Sequence, residues 1–307
     1  MKFTKKHLLG IEDLSKEEIL FILETSKSFR EVMDRKLKKV PPLRGRTIAN
    51  MFFEPSTRTL NSFLLAEKRV SADSINFSAK SSSLSKGESL RDTIENIEAM
   101  RVDMMVVRHS SPGAPHFITK HTNASVINAG DGPHEHPTQA LLDFFTMAEH
   151  FDSFDNLNVT IVGDVLHSRV ARSNIIGLVK LGANVTICGP TTLMPVDYKA
   201  WNIKYENDIE KALKGAHVVN ILRLQLERQH HGYIPSLREY HNKFGVSTNH
   251  LPLLDKKHII LHPGPMNRGV EITSLLADHE DSVILPQVTN GVAVRMAVLY
   301  LLSQNLD

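Results

Sequence analysis

The sequence predicts an α/β protein of two domains, each a mostly parallel sheet with helices on both faces. Three observations carry the prediction. Short apolar runs such as "VDMMVV" and "VTIVG" alternate with segments of helical periodicity along the chain. With 307 residues, 41% of them hydrophobic, the chain can bury cores for two domains of ordinary size. The polar stretch "DSFDNLN" separates two such alternating series. The expected division is residues 1–148 and 149–289, with a final helix at 290–307 packing back on the first domain.

Taken in order, Ser15 and Glu18 form a capping-box pattern that opens a helix predicted to reach Leu37, with Pro41 and Pro42 as its stop. "RTIANMFF" reads as the first strand, "STRT" opens a helix to Arg69, and "DSINFS" is a short strand before the polar loop "AKSSSLSKGES". Helix "LRDTIENIEAM", strand "VDMMVVRHS", a helix near Ala114 and strand "ASVINAG" follow. "HPTQALLDFFTMAEHF" is a long helix, apolar at Ala140, Leu141, Phe144, Phe145 and Ala148. The second series runs "VTIVGDV", a helix from Ser168 to Leu181, "NVTICGP", helix "DIEKALKGA", "HVVNILRL" and "HIILHPGP". The last helix, "GVAVRMAVLYLLSQNL", is apolar on most sides and is expected to be buried.

Charge and cysteine content restrict function. Thirty-six Lys and Arg against 34 Asp and Glu leave a net charge of +2, so nothing in the global balance calls for nucleic acid or a membrane surface. Any strong anion site must be local. A single cysteine, Cys188, excludes an intrachain disulfide framework and fits a reducing compartment. The N-terminal "MKFTKKHLLGIEDL" has too short an apolar patch for a signal peptide or spanning helix, so a cytoplasmic location is expected.

Chemistry-bearing residues gather where strands end. In open parallel sheets ligands bind beyond the carboxyl ends of strands, and Arg108, Asp164, Arg223 and His262 each follow an apolar run. Ser56, Thr57, Arg58 and Thr59 stand at a helix start, where unpaired N–H groups and the dipole favour an anion; the same pattern also fits a simple Ser/Thr cap. Pro137 suits the first turn of a helix and sets His136 and Gln139 at its start, facing a place where a carbonyl would sit. A zinc reading of this segment fails because Thr138 stands where the second histidine of H-E-x-x-H is required; His134 is assigned a structural role. No metal is expected. A nicotinamide site at "VGDVLHSRVARS" fails too, since only Gly163 of the glycine pattern is present and the next strand ends Cys188-Gly189-Pro190 with no acid. No cofactor is expected. Arg169 then either faces a small anion or lies on solvated surface.

In combination, S-T-R-T at 56–59, H-P-T-Q at 136–139, "GDVLHSRVARS", "LRLQLER" and "HPGPMNRG" resemble the aspartate and ornithine carbamoyltransferase family, from Phe52 to the last helix. Ornithine members carry a cysteine in an H-C-L-P segment where this chain has "HPGP", which points to the aspartate side of the family. The resemblance implies carbamoyl phosphate and L-aspartate as reactants. Carbamoyl phosphate would meet Ser56, Thr57, Arg58, Thr59, Arg108, His136, Gln139, Gly264 and Pro265, with Arg58, Thr59, Arg108 and His136 acting in catalysis. Arg169, Arg223 and Gln225 would meet aspartate, joined by Lys86 reaching in from the adjacent subunit of a homotrimer with shared active sites. The reaction would belong to pyrimidine synthesis. A regulatory chain or a dihydroorotase are further partners that the resemblance brings into view, and no residue here selects between them. Two alternatives stand beside this reading: a carbamoyltransferase for another amine such as ornithine, and a catalytically silent binding subunit of the same fold.

Overall fold

The computed structural model describes residues 3–78, 88–225 and 232–306. The chain divides into two compact units, Met1–Phe145 with Thr289–Asp307, and Thr146–Val288. In chain order the first unit begins with α1 (Lys16–Asp34), β1 (Thr47–Phe52), α2 (Thr57–Arg69), β2 (Asp73–Ser78) and α3 (Leu90–Ala99). It continues with β3 (Met104–His109), α4 (Ala114–Ile118), β4 (Ser125–Asp131) and α5 (Pro137–Ala148), whose last turn enters the second unit. That unit holds β5 (Asn158–Val162), α6 (Arg169–Leu181), β6 (Asn184–Cys188), β7 (Lys204–Glu206), α7 (Ile209–Leu213) and β8 (Val218–Ile221). It is completed by α8 (Leu237–Phe244), β9 (Ile259–Leu261), α9 (Ser274–Ala277) and the start of α10 (Ile284–Ser303), which carries the chain back to the first unit.

Both sheets are parallel throughout, in the orders β2-β1-β3-β4 and β7-β6-β5-β8-β9. Residues of both parities are buried along β3, β4 and β8, as in a sheet covered on both sides. In the first unit Ala49, Met51, Met105, Val107 and Val126 form one core with Ile94 and Ile97 of α3 and Ile118 of α4. The opposite face meets α2, where buried Asn50 donates from Nδ2 to Glu67 Oε2 at 3.0 Å. Burial pushes the Glu67 carboxyl up from its ordinary pKa, against the lowering effect of its bonds from Ser74 and Asn50.

Two expectations are corrected and two elements are added. α1 stops at Asp34 rather than Leu37, because its last buried residue is Met33 and the following Lys36, Leu37 and Lys38 are exposed; no apolar contact offsets the entropy of another turn. α10 starts at Ile284, six residues before the predicted 290, since Pro286 lies in the first turn where its missing N–H costs nothing. β7 and α8 escaped the sequence reading. β7 is three residues, Lys-Tyr-Glu, and α8 buries only Tyr240 and Phe244, one turn apart.

Candidate active site

In each sheet the strand order reverses once among the described strands. The crossovers leave β1 toward β2 on one side while β3 and β4 lie on the other, so the switch point of the first sheet falls between β1 and β3. In the second it falls between β5 and β8. A crevice opens at such a point beyond the carboxyl ends of the strands.

The first switch point gathers Ser56–Thr59 and Arg108. Phe52 at the end of β1 pairs with Arg108, and the Phe53 N–H donates to the Arg108 carbonyl at 2.8 Å, so the segment leading into α2 runs beside Arg108. Arg108 also lies at a register shift between β3 and β4, between Val107 and His109. Its Nη2 lies 2.7 Å from Glu54 Oε1, and its Nη1 donates to the Ala129 carbonyl at 3.3 Å. Thr57 and Arg58 are exposed, Ser56 is half-buried and Thr59 is buried. Ser56 occupies the N-cap of α2, yet its side chain makes no capping hydrogen bond, and the first turn holds no acid. The simple-cap reading of this motif is therefore not what the geometry shows for Ser56; the helix start keeps its donors and its positive field. Beside it, His109 accepts from the Ser111 N–H through Nδ1 at 2.9 Å. Burial lowers its pKa, opposed by Glu54 and Asp131, which agrees with a neutral, accepting ring.

β4 delivers the second motif. Asp131, fully buried, accepts from the Gly113 N–H at 2.8 Å, the Glu135 N–H at 3.1 Å and Asn128 Nδ2 at 2.8 Å, and its Oδ2 lies 3.0 Å from His134 Nδ1. His134 is thus part of the scaffold that fixes the turn. Glu135 Oε1 accepts from the N–H groups of Ile11 and Glu12 at 3.1 and 3.2 Å, tying the turn to the N-terminal segment. His136, 3% exposed, then enters α5, and one turn on the Gln139 Nε2 donates to Asp143 Oδ1 at 3.0 Å.

The second switch point gathers Arg169, Arg223 and Gln225. Val162 pairs with Ile221, and the Leu222 N–H donates to the Val162 carbonyl at 2.8 Å, so the loops after β5 and β8 leave side by side. Arg169 opens α6 and is 4% exposed, while Ser168 caps that helix by accepting from the Ala171 N–H at 3.2 Å. The solvated-surface reading of Arg169 is thereby excluded. Asp164, buried, lies 2.8 Å from His167 Nδ1. Arg223 and Gln225 are half-buried at the end of the described segment. Gly264 and Pro265 belong to this unit too, after β9, the neighbour of β8. Their loop is held by His262, whose Nδ1 accepts from the Gly264 N–H at 2.8 Å and whose Nε2 therefore faces Glu271 Oε1, at 3.3 Å, as donor. Glu271 Oε1 also accepts from the Asn267 N–H at 2.5 Å. Lys86 lies outside the described residues. Sequence reasoning missed Glu54, Asp143 and Glu271. Glu54 had a signal, an acid two residues before the motif it serves; the others show only in three dimensions.

Comparison with known proteins finds relatives for both units. Residues 6–149 match the model described as aspartate/ornithine carbamoyltransferase, carbamoyl-P binding domain, and residues 155–302 match that family's Asp/Orn binding domain. The aspartate carbamoyltransferase catalytic subunit of Cytophaga hutchinsonii is 58% identical over 304 residues, covering 99% of both chains. Among solved structures, the aspartate transcarbamoylase of Trypanosoma cruzi in complex with N-(phosphonacetyl)-L-aspartic acid superposes with a TM-score of 0.90 at 27% identity, over 97% of this chain and 96% of that one. The ornithine carbamoyltransferase of Pyrococcus furiosus gives 0.88 at 27% identity, with 100% of each chain covered. Because both domain models match and relatives are more than half identical from end to end, the chain belongs to the aspartate/ornithine carbamoyltransferase family.

Proposed function

We infer that this chain transfers the carbamoyl group of carbamoyl phosphate to the amine of L-aspartate, giving N-carbamoyl-L-aspartate and phosphate. The observation that carries the reading is the pair of switch points, one lined by Ser56–Thr59 and Arg108, the other by Arg169 and Arg223. Two reactants with about four negative charges between them need that many converging donors. Ser56, Thr57, Arg58, Thr59 and Arg108 bind the phosphate; Thr59, Arg108 and His136 donate to the carbamoyl oxygen; Gln139 holds the carbamoyl amine, and Gly264 and Pro265 contribute backbone groups. Arg169, Arg223 and Gln225 take the two carboxylates, with Lys86 of an adjacent subunit in a homotrimer. The amine nitrogen attacks the carbonyl carbon, the bond from that carbon to the phosphate oxygen breaks, and the ammonium proton passes to the departing phosphate. Donors already placed around the oxygen stabilise the tetrahedral intermediate, and loss of one commonly costs roughly 2.7–4 kcal/mol in the barrier. The paired arginines select a dicarboxylate over a cationic amino acid. In this reading the reaction runs in the cytoplasm as a step of pyrimidine synthesis.

Incubating the purified protein with carbamoyl phosphate and a panel of amines tests this. Phosphate release is expected with aspartate; release with ornithine and none with aspartate overturns it. Mixed trimers of a Lys86→Ala chain and an Arg58→Ala chain, each inactive alone, are expected to regain activity if sites are shared.

A further inference from the structure

His262 directly follows β9, is buried, and is engaged at both ring nitrogens. Nδ1 accepts from the Gly264 N–H at 2.8 Å, so that nitrogen carries no proton. On the far side of the ring, Nε2 lies 3.3 Å from Glu271 Oε1, an oxygen that already accepts from the Asn267 N–H. Facing an acceptor, Nε2 is the nitrogen that bears the hydrogen. Two separate contacts thus select the same tautomer of a neutral imidazole. The main chain here is tied as well: the His262 N–H donates to Gln287 Oε1, near the start of α10, at 2.9 Å. Glu271 is fully buried, and its carbonyl accepts from the Val246 N–H at 3.0 Å. Its one oxygen Oε1 therefore joins residues 262 and 267, the two ends of the stretch that contains Gly264 and Pro265.

Gly264 has φ +61°, a conformation that glycine enters without strain. A residue with no side chain selects its own orientation only weakly, and the bond to Nδ1 selects it instead. Because a peptide unit is planar, an anchored N–H fixes the whole plane between Pro263 and Gly264. A ring protonated on Nδ1 would set N–H against N–H and turn that plane away. We propose that Glu271 is a positioning residue: by holding His262 in the Nε2–H tautomer it keeps the Nδ1 lone pair on the Gly264 N–H, and so sets the backbone of Gly264 and Pro265 for the carbamoyl end of carbamoyl phosphate. Its basis is the assignment of Gly264 and Pro265 to that substrate made above.

The tautomer is read first, in proton–nitrogen correlation spectra of the full-length protein labelled with heavy nitrogen at histidine, His262→Asn serving to assign the signal. At neutral pH the Nε2–H form is expected; the Nδ1–H form, or a ring protonated on both nitrogens, overturns the proposal whether or not any variant folds. A double-mutant cycle on kcat/KM for carbamoyl phosphate follows. Glu271→Leu is expected to lower it about tenfold, as for the loss of one hydrogen bond. In a His262→Asn background, where the new side-chain oxygen accepts from Gly264 without reaching Glu271, the same change is expected to cost less than about twofold. Glu271→Gln, whose oxygen can still take both donors, is expected to recover most of the loss. Inhibition by inorganic phosphate, which lacks the carbamoyl group, is expected to stay within about twofold in Glu271→Leu. An equal loss in both backgrounds puts the effect at Asn267 and overturns the role of His262. No loss in either, a Gln variant as impaired as the Leu variant, or a parallel loss of phosphate inhibition overturns the proposal too. Absence of aspartate carbamoylation in the unaltered chain overturns the functional reading and the substrate named here, while the tautomer result stands.

Discussion

The two sheets present the same topological opening and furnish it differently. At the first, the side chain of the N-cap serine of α2 makes no capping bond to its helix, leaving hydroxyls and backbone donors at the opening beside Arg108. At the second, Ser168 closes the start of α6 by accepting from Ala171, and the buried Arg169 projects from the first helical position instead. A tetrahedral dianion is well met by many short donors around a helix start, whereas a planar carboxylate is matched by a guanidinium fork. In the proposed function, one architecture serves two anion geometries by exchanging who satisfies the helix terminus.

The strongest challenge to this contrast is Arg58→Ala. It is expected to lower kcat by about 10²–10³-fold in a phosphate-release assay, and a rate within a few-fold of the original would remove the first site from the chemistry. Next, Arg223→Ala should raise KM for aspartate through the loss of a charged hydrogen bond worth about 1.5–3 kcal/mol, while calorimetric affinity for carbamoyl phosphate stays the same. Weakened carbamoyl phosphate binding would mean that the two openings are not separate in duty. Sharper still is the pair of serines. Ser168→Ala should cost about 1 kcal/mol of stability as a lost cap, read as a lower Tm, whereas Ser56→Ala should leave Tm alone and weaken inorganic phosphate binding. The smallest effect concerns Cys188, buried at the end of β6 beside Val162, where burial pushes the thiol up to about 12. It should resist thiol reagents at pH 8 and react on addition of denaturant; rapid labelling of the native protein would show that the second sheet is not closed there.

Much of this was legible in the sequence because the informative residues are local. A strand, a proline and four hydroxyl or guanidinium residues at 56–59 define the first opening within a single turn, and H-P-T-Q at 136–139 is a second motif just as compact. Strand ends flagged Arg108 and Arg223 before any coordinates, since period and length of the apolar runs fix where strands stop. What was not legible depends on distance along the chain. Arg295 reads as an interruption of an apolar helix, and its partner Ser62 lies far away in sequence. Asp143 looks like an ordinary polar position in "ALLDFF"; its full burial and its bond from Gln139 show only in three dimensions. The edge strand β7 and helix α8 were missed for a different reason: each buries too little to leave a pattern.

The ion pair between Glu54 and Arg108 sets an entry condition for the first opening. With Glu54 Oε1 at 2.7 Å, the guanidinium is aimed and neutralised before any reactant arrives, so it need not reorganise from a hydrated, wandering state. An incoming anion must compete with a resident monovalent carboxylate. A doubly charged phosphate wins that exchange by Coulomb attraction, while acetate, chloride or a lone amino-acid carboxylate gains little over the side chain already there. In the proposed function, the acid in front of the motif would thereby act as a valence filter.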